Sequence, residues 1–327
     1  MSKHGGLIIS LFFLGCAGVG NTGSGDLPSE MRIIFASGSE AGSYLRTEDA
    51  FLLSMSPFDR SVRLQTSREI SKAEHIDYVS RQVLDWTARE EEKIRDIMVR
   101  INQALSEYSL SFPDEIIFIK TTGLEEGTAA YCRGNNIIVL PGGYLDMPFD
   151  RLYDLVLHEL FHIYSRNNSE VQEALYGILA FKKCGELQLP DDIFRQKITN
   201  PDAAVNCYYF PAAINGSEYK LMPILLASSD YDEEKGGEFF DYLVFNFIAV
   251  SENGDAVVPL RRNNQYVLFT PNQVPEYLRL AAGNTGYIIH PEEVLADNFV
   301  FLINEDNGLP DMEIIHKIRA ILLSAAR

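Results

Sequence analysis

His158, Glu159 and His162 stand within five consecutive residues, His-Glu-Leu-Phe-His. Residues four apart lie on one face of an α-helix, so two imidazoles at this spacing can aim at one metal ion. A glutamate beside the first of them can reach a water next to the ion without binding the ion itself. The chemistry this permits is zinc-assisted hydrolysis, with His158 and His162 as ligands and Glu159 as general base. Two histidines in a helical core need no metal as such. The flanks argue for one, because Leu152, Leu155, Val156, Leu157, Leu160, Phe161 and Ile163 make the helix apolar on most sides and so buried. Burying two histidines and a glutamate without a task would be costly, and a metal ion accounts for all three.

The elements that must position these residues follow from apolar spacing and from turn residues. The motif helix is expected from about Phe149 to Ser165 and a second from about Ser169 to Cys184. A long helix is expected over 84–108, with Ile94, Ile97, Met98, Ile101 and Leu105 on one face and Glu90 to Lys93 solvated. Residues 31–37, 51–55 and 61–67 read as short extended segments, and 114–120, 128–132 and 135–140 as strands, the last stopped by Pro141-Gly142-Gly143. From 218 to 270 strands mix with amphipathic segments, with an aromatic run at 239–249; a helix begins at Pro291 and runs to about Ile303, and a last one occupies roughly 311–325. The fold class is therefore α+β: a small mixed sheet packed on a buried active-site helix, with a helical C-terminal part. One domain is expected over 31–327, with a sub-domain boundary near 190–215.

A catalytic zinc needs three protein ligands and an open fourth position. The stretch His290-Pro291-Glu292-Glu293-Val294-Leu295-Ala296-Asp297 offers the missing carboxylate. Glu293 and Asp297 are four apart and share a helix face, and the small Ala296 lets that helix approach another closely. An acidic first turn also favours a helix start with no metal present, although that does not cover Asp297 one turn on. Glu170 and Glu173, on the helix after the motif, are alternative ligands. Glu292 is the alternative in register, and His290 is a ligand, a substrate contact or a helix cap.

His-Glu-x-x-His followed by Glu-x-x-x-Asp resembles the gluzincins, the thermolysin-like superfamily of zinc metallopeptidases. The resemblance implies a zincin-like fold, Glu293 as third zinc ligand, and Asp297 as the residue that hydrogen-bonds His158 and fixes its tautomer. It also implies peptide-bond hydrolysis on a substrate held by an edge strand; residues 135–140 are the candidate, or else simply another core strand. The metzincin extension is absent, because Ser165 stands at its glycine position and Asn168 at its third histidine. Glu293 lies 131 residues beyond His162, a longer separation than in thermolysin, so the likeness covers about a third of the chain. The runs TAAYCRGNNIIVLP, HELFHIYSRN and ITNPDA, with HPEE-x-LADNF, also resemble a group of uncharacterised bacterial zincin-like lipoproteins. Gluzincins usually add a tyrosine or histidine donor near the oxyanion, for which Tyr287, Tyr208 and Tyr209 are candidates, each equally an ordinary core or rim aromatic. Arg133 binds a substrate carboxylate or pairs with a local acid. Asn200-Pro201-Asp202 reads as a turn.

The 327 residues carry 46% hydrophobic and 23% charged side chains, the balance of a globular protein, and a net charge of −18 that disfavours nucleic acid and anionic membrane surfaces as partners. Lys3, the apolar run Leu7 to Leu14 and then Gly15-Cys16 read as a signal peptide over 1–15 that resembles the lipobox of bacterial lipoproteins, although Phe13 stands where leucine is preferred. Cys16 is then the lipidated residue and 16–30 a Gly- and Ser-rich tether. Ala17 after the cysteine implies the outer membrane, with the domain facing periplasm or surface. The expected partners are a protein or peptide substrate and, through the anchor, a membrane. Cys132, Cys184 and Cys207 permit at most one disulfide and read as buried free thiols. Two other functions stay open at this point: a non-catalytic zinc-containing binding or assembly lipoprotein, and hydrolysis of a non-protein amide such as a cell-wall cross-link.

Overall fold

The computed structural model describes residues 31–253 and 256–325. The signal segment, Cys16 and the tether lie outside the described residues. Strand β1 (Arg32–Ala36) opens the chain and is followed by four short helices, α1 (Gly38–Arg46), α2 (Ala50–Ser54), α3 (Pro57–Arg63) and α4 (Lys72–Ser80). Residues 51–54 and 61–63 are thus helical and 64–67 form a turn, where the sequence suggested extended chain. Local capping decides this. The Asp49 carboxylate accepts from Leu52 N, and Ser56 and Asp59 form a capping box ahead of Pro57. Helix α5 (Ala88–Leu105) follows the two-residue strand β2 (Val83–Leu84) and buries the predicted face. It starts later than expected because the Thr87–Glu90 capping box sets its first turn.

Strands β3 (Glu115–Thr121), β4 (Tyr131–Arg133) and β5 (Ile137–Pro141) complete a mixed sheet in the order β1-β3-β5-β4, with β2 paired to the far end of β3. The β1–β3 and β3–β5 pairs are parallel, and β4 runs antiparallel to β5. One face (Ile116, Phe118, Ile138, Leu140) joins the main core, and the other (Ile117, Ile119, Ile137, Val139) packs with Leu45 of α1 and Val79 of α4. Burial on both faces explains the unbroken apolar runs. The segment 135–140 is therefore not an edge strand. It lies inside the sheet as β5, because the chain doubles back at Gly134, whose φ of +53° suits glycine, and leaves β4 outermost.

Helix α6 (Phe149–Asn167) carries the His-Glu-x-x-His motif and is buried almost continuously from Leu152 to Ser165. It packs against β4, β5 and α5 on one side and a C-terminal helix on the other. Helix α7 (Ser169–Ile178) stops six residues short of the expected Cys184, as Ala180 takes a positive φ of 62° and the chain turns into strand β6 (Lys182–Lys183). After α8 (Asp191–Phe194) and β7 (Lys197–Ile198), a second sheet forms from β8 (Tyr208–Ile214), β9 (Ser217–Ala227), β10 (Leu243–Asn253) and β11 (Ala256–Pro259). It is antiparallel throughout this run, in the order β11-β10-β9-β8-β6. Asn215 and Gly216, both at positive φ, make the tight β8–β9 turn. The mixture read over 218–270 is mostly this sheet. Helices α9 (Pro275–Ala281), α10 (Pro291–Ile303) and α11 (Met312–Ala325) close the chain. The class is α+β. Among the described residues no helix is long and apolar enough to cross a membrane.

Candidate metal centre

Helices α6 and α10 pack against each other, and their contact brings His158, His162 and Glu293 together. One ligand atom from each lies within 4.8 Å of the other two, and all three residues are buried. Glu293 Oε2 is 3.3 Å from His158 Nε2 and 3.5 Å from His162 Nε2. The opposite ring nitrogens are already held: His158 Nδ1 is 3.0 Å from Asp297 Oδ1, and His162 Nδ1 is 3.2 Å from Glu292 Oε1. Each imidazole is thus pinned by a carboxylate behind it, with its Nε2 turned toward Glu293. His162 Nε2 is buried with no hydrogen-bond partner. Two nitrogen donors and a carboxylate oxygen converging around an orphaned buried ring atom fit a metal ion, and this group could hold one.

The sequence-derived assignments meet the structure as follows. Asp297 stands on His158, and Thr285 donates to its other oxygen. Glu292 is not a ligand in an alternative register. It backs His162 and also accepts from Ser165 Oγ at 2.9 Å and from the Tyr176 hydroxyl at 2.7 Å. Adjacent residues on a helix project about 100° apart, so Glu292 and Glu293 reach opposite edges of the His162 ring. His290 is the N-cap of α10: its Nδ1 accepts from Glu292 N at 3.2 Å. Burial lowers His290 to about 4 although Glu292 and Glu293 pull upward, so the ring is neutral, as a cap that accepts must be. Glu170 and Glu173 are exposed on α7, with Glu173 paired to Lys183, and neither reaches the centre. Arg133 is buried against Asp49 at 2.6 Å, so of its two readings the local acid holds.

Tyr287 is the tyrosine that the fold brings to the centre, its ring 6.4 Å from that of His158 and nearly parallel to it. Tyr208 packs on Tyr176 in the core behind Glu292, and the Tyr209 ring meets Lys220 instead. Sequence reasoning missed three residues here. Tyr176 gave no signal beyond an apolar helix face. Asn200 and Asp202 looked like turn formers, and they do form a 3₁₀ turn after β7. That turn also delivers the Asn200 side chain to Glu293 Oε1, at 2.5 Å, and the Asp202 carboxylate to the Cys132 backbone N–H, at 2.9 Å. Cys132, Glu159 and Asp202 form a second set of potential ligand atoms within 4.8 Å of one another, with Cys132 Sγ 3.3 Å from Glu159 Oε2. The other two thiols, Cys184 and Cys207, are half-buried and unpaired.

Electrostatics follow from burial and crowding. Burial raises Glu159 to about 7, with Asp202 adding to it and the two histidines partly offsetting it. Burial opposes charge on His158, but Asp297 and Glu293 outweigh it and carry the imidazole to about 10. His162 is likewise held well above its ordinary value, against burial, by Asp202, Glu293 and Glu292. Burial opposes ionisation of Glu293, yet the two imidazoles keep it well below the usual carboxylate range.

No family model, curated protein or solved structure matches this chain.

Proposed function

We propose that the protein is a zinc metallopeptidase of the zincin type, hydrolysing peptide bonds. One observation carries the reading: two imidazole Nε2 atoms converge on one Glu293 oxygen while separate carboxylates hold both Nδ1 atoms. Two nitrogens and one carboxylate form the ligand set that catalytic zinc uses, and a fourth position is left for water or substrate. Bound there, zinc would polarise the scissile carbonyl and acidify a neighbouring water. His158, His162 and Glu293 would hold the ion. Asp297 and Glu292 orient the two rings and keep Nε2 of each free to bind. Glu159 takes the proton of the attacking water on its carboxylate and returns it to the leaving amine. A carboxyl group near 7 is suited to both halves of that transfer at neutral pH. Tyr287 is the side chain best placed to donate to a developing oxyanion. The Leu14-Gly15-Cys16 sequence supports attachment to the bacterial cell envelope by a lipid on Cys16, on the outer membrane.

The test joins metal content to turnover. One zinc per chain in the wild type, lost in Glu293→Gln, is expected by mass spectrometry and metal analysis. Glu159→Gln should keep the zinc and lose about 10²- to 10⁴-fold in peptide hydrolysis. No zinc in the wild type would sink the proposal. One observation favours the second reading, a non-catalytic metal-holding envelope protein: Glu159 is only 3% exposed. A purely structural site is closed by four ligands, however, and has no use for a fifth residue poised as a base. Equal inertness of wild type and Glu159→Gln toward broad peptide libraries would favour it.

A further inference from the structure

Among the described residues strand β4 is one edge of the mixed sheet, with β1 at the other, and it packs on the motif helix. Cys132 in its middle places Sγ 3.2 Å from the Glu159 carbonyl oxygen and 3.3 Å from its carboxylate. A peptide running along β4 would therefore lie beside Glu159 and the histidines. An edge strand recruits such a peptide through the backbone groups it turns away from its own sheet. The Cys132 N–H is such a group, and it is already taken, donating to Asp202 Oδ1 at 2.9 Å. The Asp202 carboxylate also lies within 4.8 Å of the Glu159 carboxylate. Arg166 of α6 holds the same turn by its backbone, donating to the Pro201 and Asp202 carbonyls, each at 3.4 Å. Asn200 at its start donates to Glu293.

This turn is fixed at its ends and more open between them. Thr199, just before it, is 1% exposed. Its N–H donates to both oxygens of Asp59, at 3.1 and 2.9 Å, and its carbonyl accepts from Arg63 at 3.2 Å. Arg63 is itself buried between Asp59 and Glu126. Pro201 to Ala204 are only half-buried, and Val205 is 40% exposed. Beyond it, the Asn206 carbonyl accepts from Leu187 N at 2.9 Å and the Asn206 side chain donates to the Pro223 carbonyl at 2.6 Å, so the segment is anchored at both ends with solvent on its outer side between them.

We propose that residues 200–204 form a built-in cover that occupies the substrate edge of the site, so that a peptide must displace Asp202 from the Cys132 N–H before it can reach Glu159. The proposal rests on the metallopeptidase reading above and adds its regulation. The incoming peptide carbonyl replaces the Asp202 carboxylate on that donor, and the segment lifts between its anchors at Thr199 and Asn206. Extended peptides, which can make this exchange, should be cleaved in preference to single-bond reporters.

The experiment uses the zinc-loaded full chain and compares wild type, Asp202→Asn, Asp202→Ala and Arg166→Gln. Three quantities are read: zinc per chain, hydrogen–deuterium exchange of the Cys132 amide, and the association rate of a peptide hydroxamate. Asp202→Asn keeps an acceptor oxygen and should stay close to wild type. Asp202→Ala should speed exchange at Cys132 and hydroxamate association by at least tenfold each, with zinc unchanged. Arg166→Gln, which keeps the Asp202 carboxylate but removes the guanidinium 3.8 Å from it, should move both in the same direction. Unchanged or slower hydroxamate association in the alanine variant would overturn the proposal and make the segment a permanent wall. Absence of zinc from all four proteins would instead overturn the metallopeptidase reading. The amide exchange would still report separately on whether the turn lifts.

Discussion

Zinc binding should expel at least one proton at neutral pH, because the His158 imidazole is protonated in the metal-free protein. His158, carried to about 10 despite its burial by Asp297 and Glu293, is more than ~99% protonated at pH 7.5. His162 is raised in the same direction. Unperturbed histidines would each be only ~10% protonated at that pH, so together they would release ~0.2 proton. Glu159, near 7, adds at most about a quarter of a proton if the ion forces it to ionise. Stripping His158 at pH 7 costs about 4 kcal/mol, which zinc binding must offset. Apparent affinity should therefore rise at least ~10-fold per pH unit below about pH 9. Calorimetric titration with zinc at pH 7.5, in three buffers of different ionisation enthalpy, gives the proton count from the slope of observed enthalpy. Replacing the strongest partner, Asp297→Asn, should reduce the count by up to one. Release of less than about half a proton by the wild type would refute the charge arrangement inferred for the centre.

Three further outcomes follow from the same contacts. Glu292→Gln removes the carboxylate behind His162 and should weaken zinc ~10- to 100-fold in a competition titration with a chromogenic chelator, with the fold retained. Arg63→Ala strands Asp59 and Glu126 in the core and should cost about 3–5 kcal/mol, read as a lower urea midpoint. Burial, with Arg63, Arg133 and Arg60 nearby, depresses His75 to about 3, so below pH 6.5 the unfolded chain binds a proton that the folded chain refuses. Stability should then fall on acidification by up to ~1.4 kcal/mol per pH unit between 6.5 and about 3, and His75→Phe should flatten that part of the metal-free profile.

The convergence of His158, His162 and Glu293 was legible because each half of the centre is local. His158 and His162 are fixed by one helical turn, as are Glu293 and Asp297, and periodicity alone places each pair on a face. The part played by Glu292 needed the docking angle of α10 on α6, which no local pattern contains. Asn200 and Asp202 reach the centre through a turn tied down by Arg63 and Asp59, residues more than a hundred positions earlier. Nothing in the Asn-Pro-Asp sequence announces that anchor. The edge strand was misplaced for a related reason: 135–140 has the stronger β pattern, but the three-residue β4 lies outside it. Segments 51–55 and 61–67 are too short for apolar spacing to tell helix from strand, and their caps decided.

The 135 residues separating His158 from Glu293 also bear on the order in which the molecule is made. Closing a flexible loop of that length costs about 4 kcal/mol beyond the constant for any closure. A nascent chain presents its two histidines long before α10 exists, and two imidazoles alone retain an ion poorly. Glu293 joins them only when the whole second sheet has been synthesised and α10 has docked on α6. On the proposed function, metal capture would be a late event that reports completed folding, and a chain broken anywhere between β6 and α9 should leave the histidines without an ion.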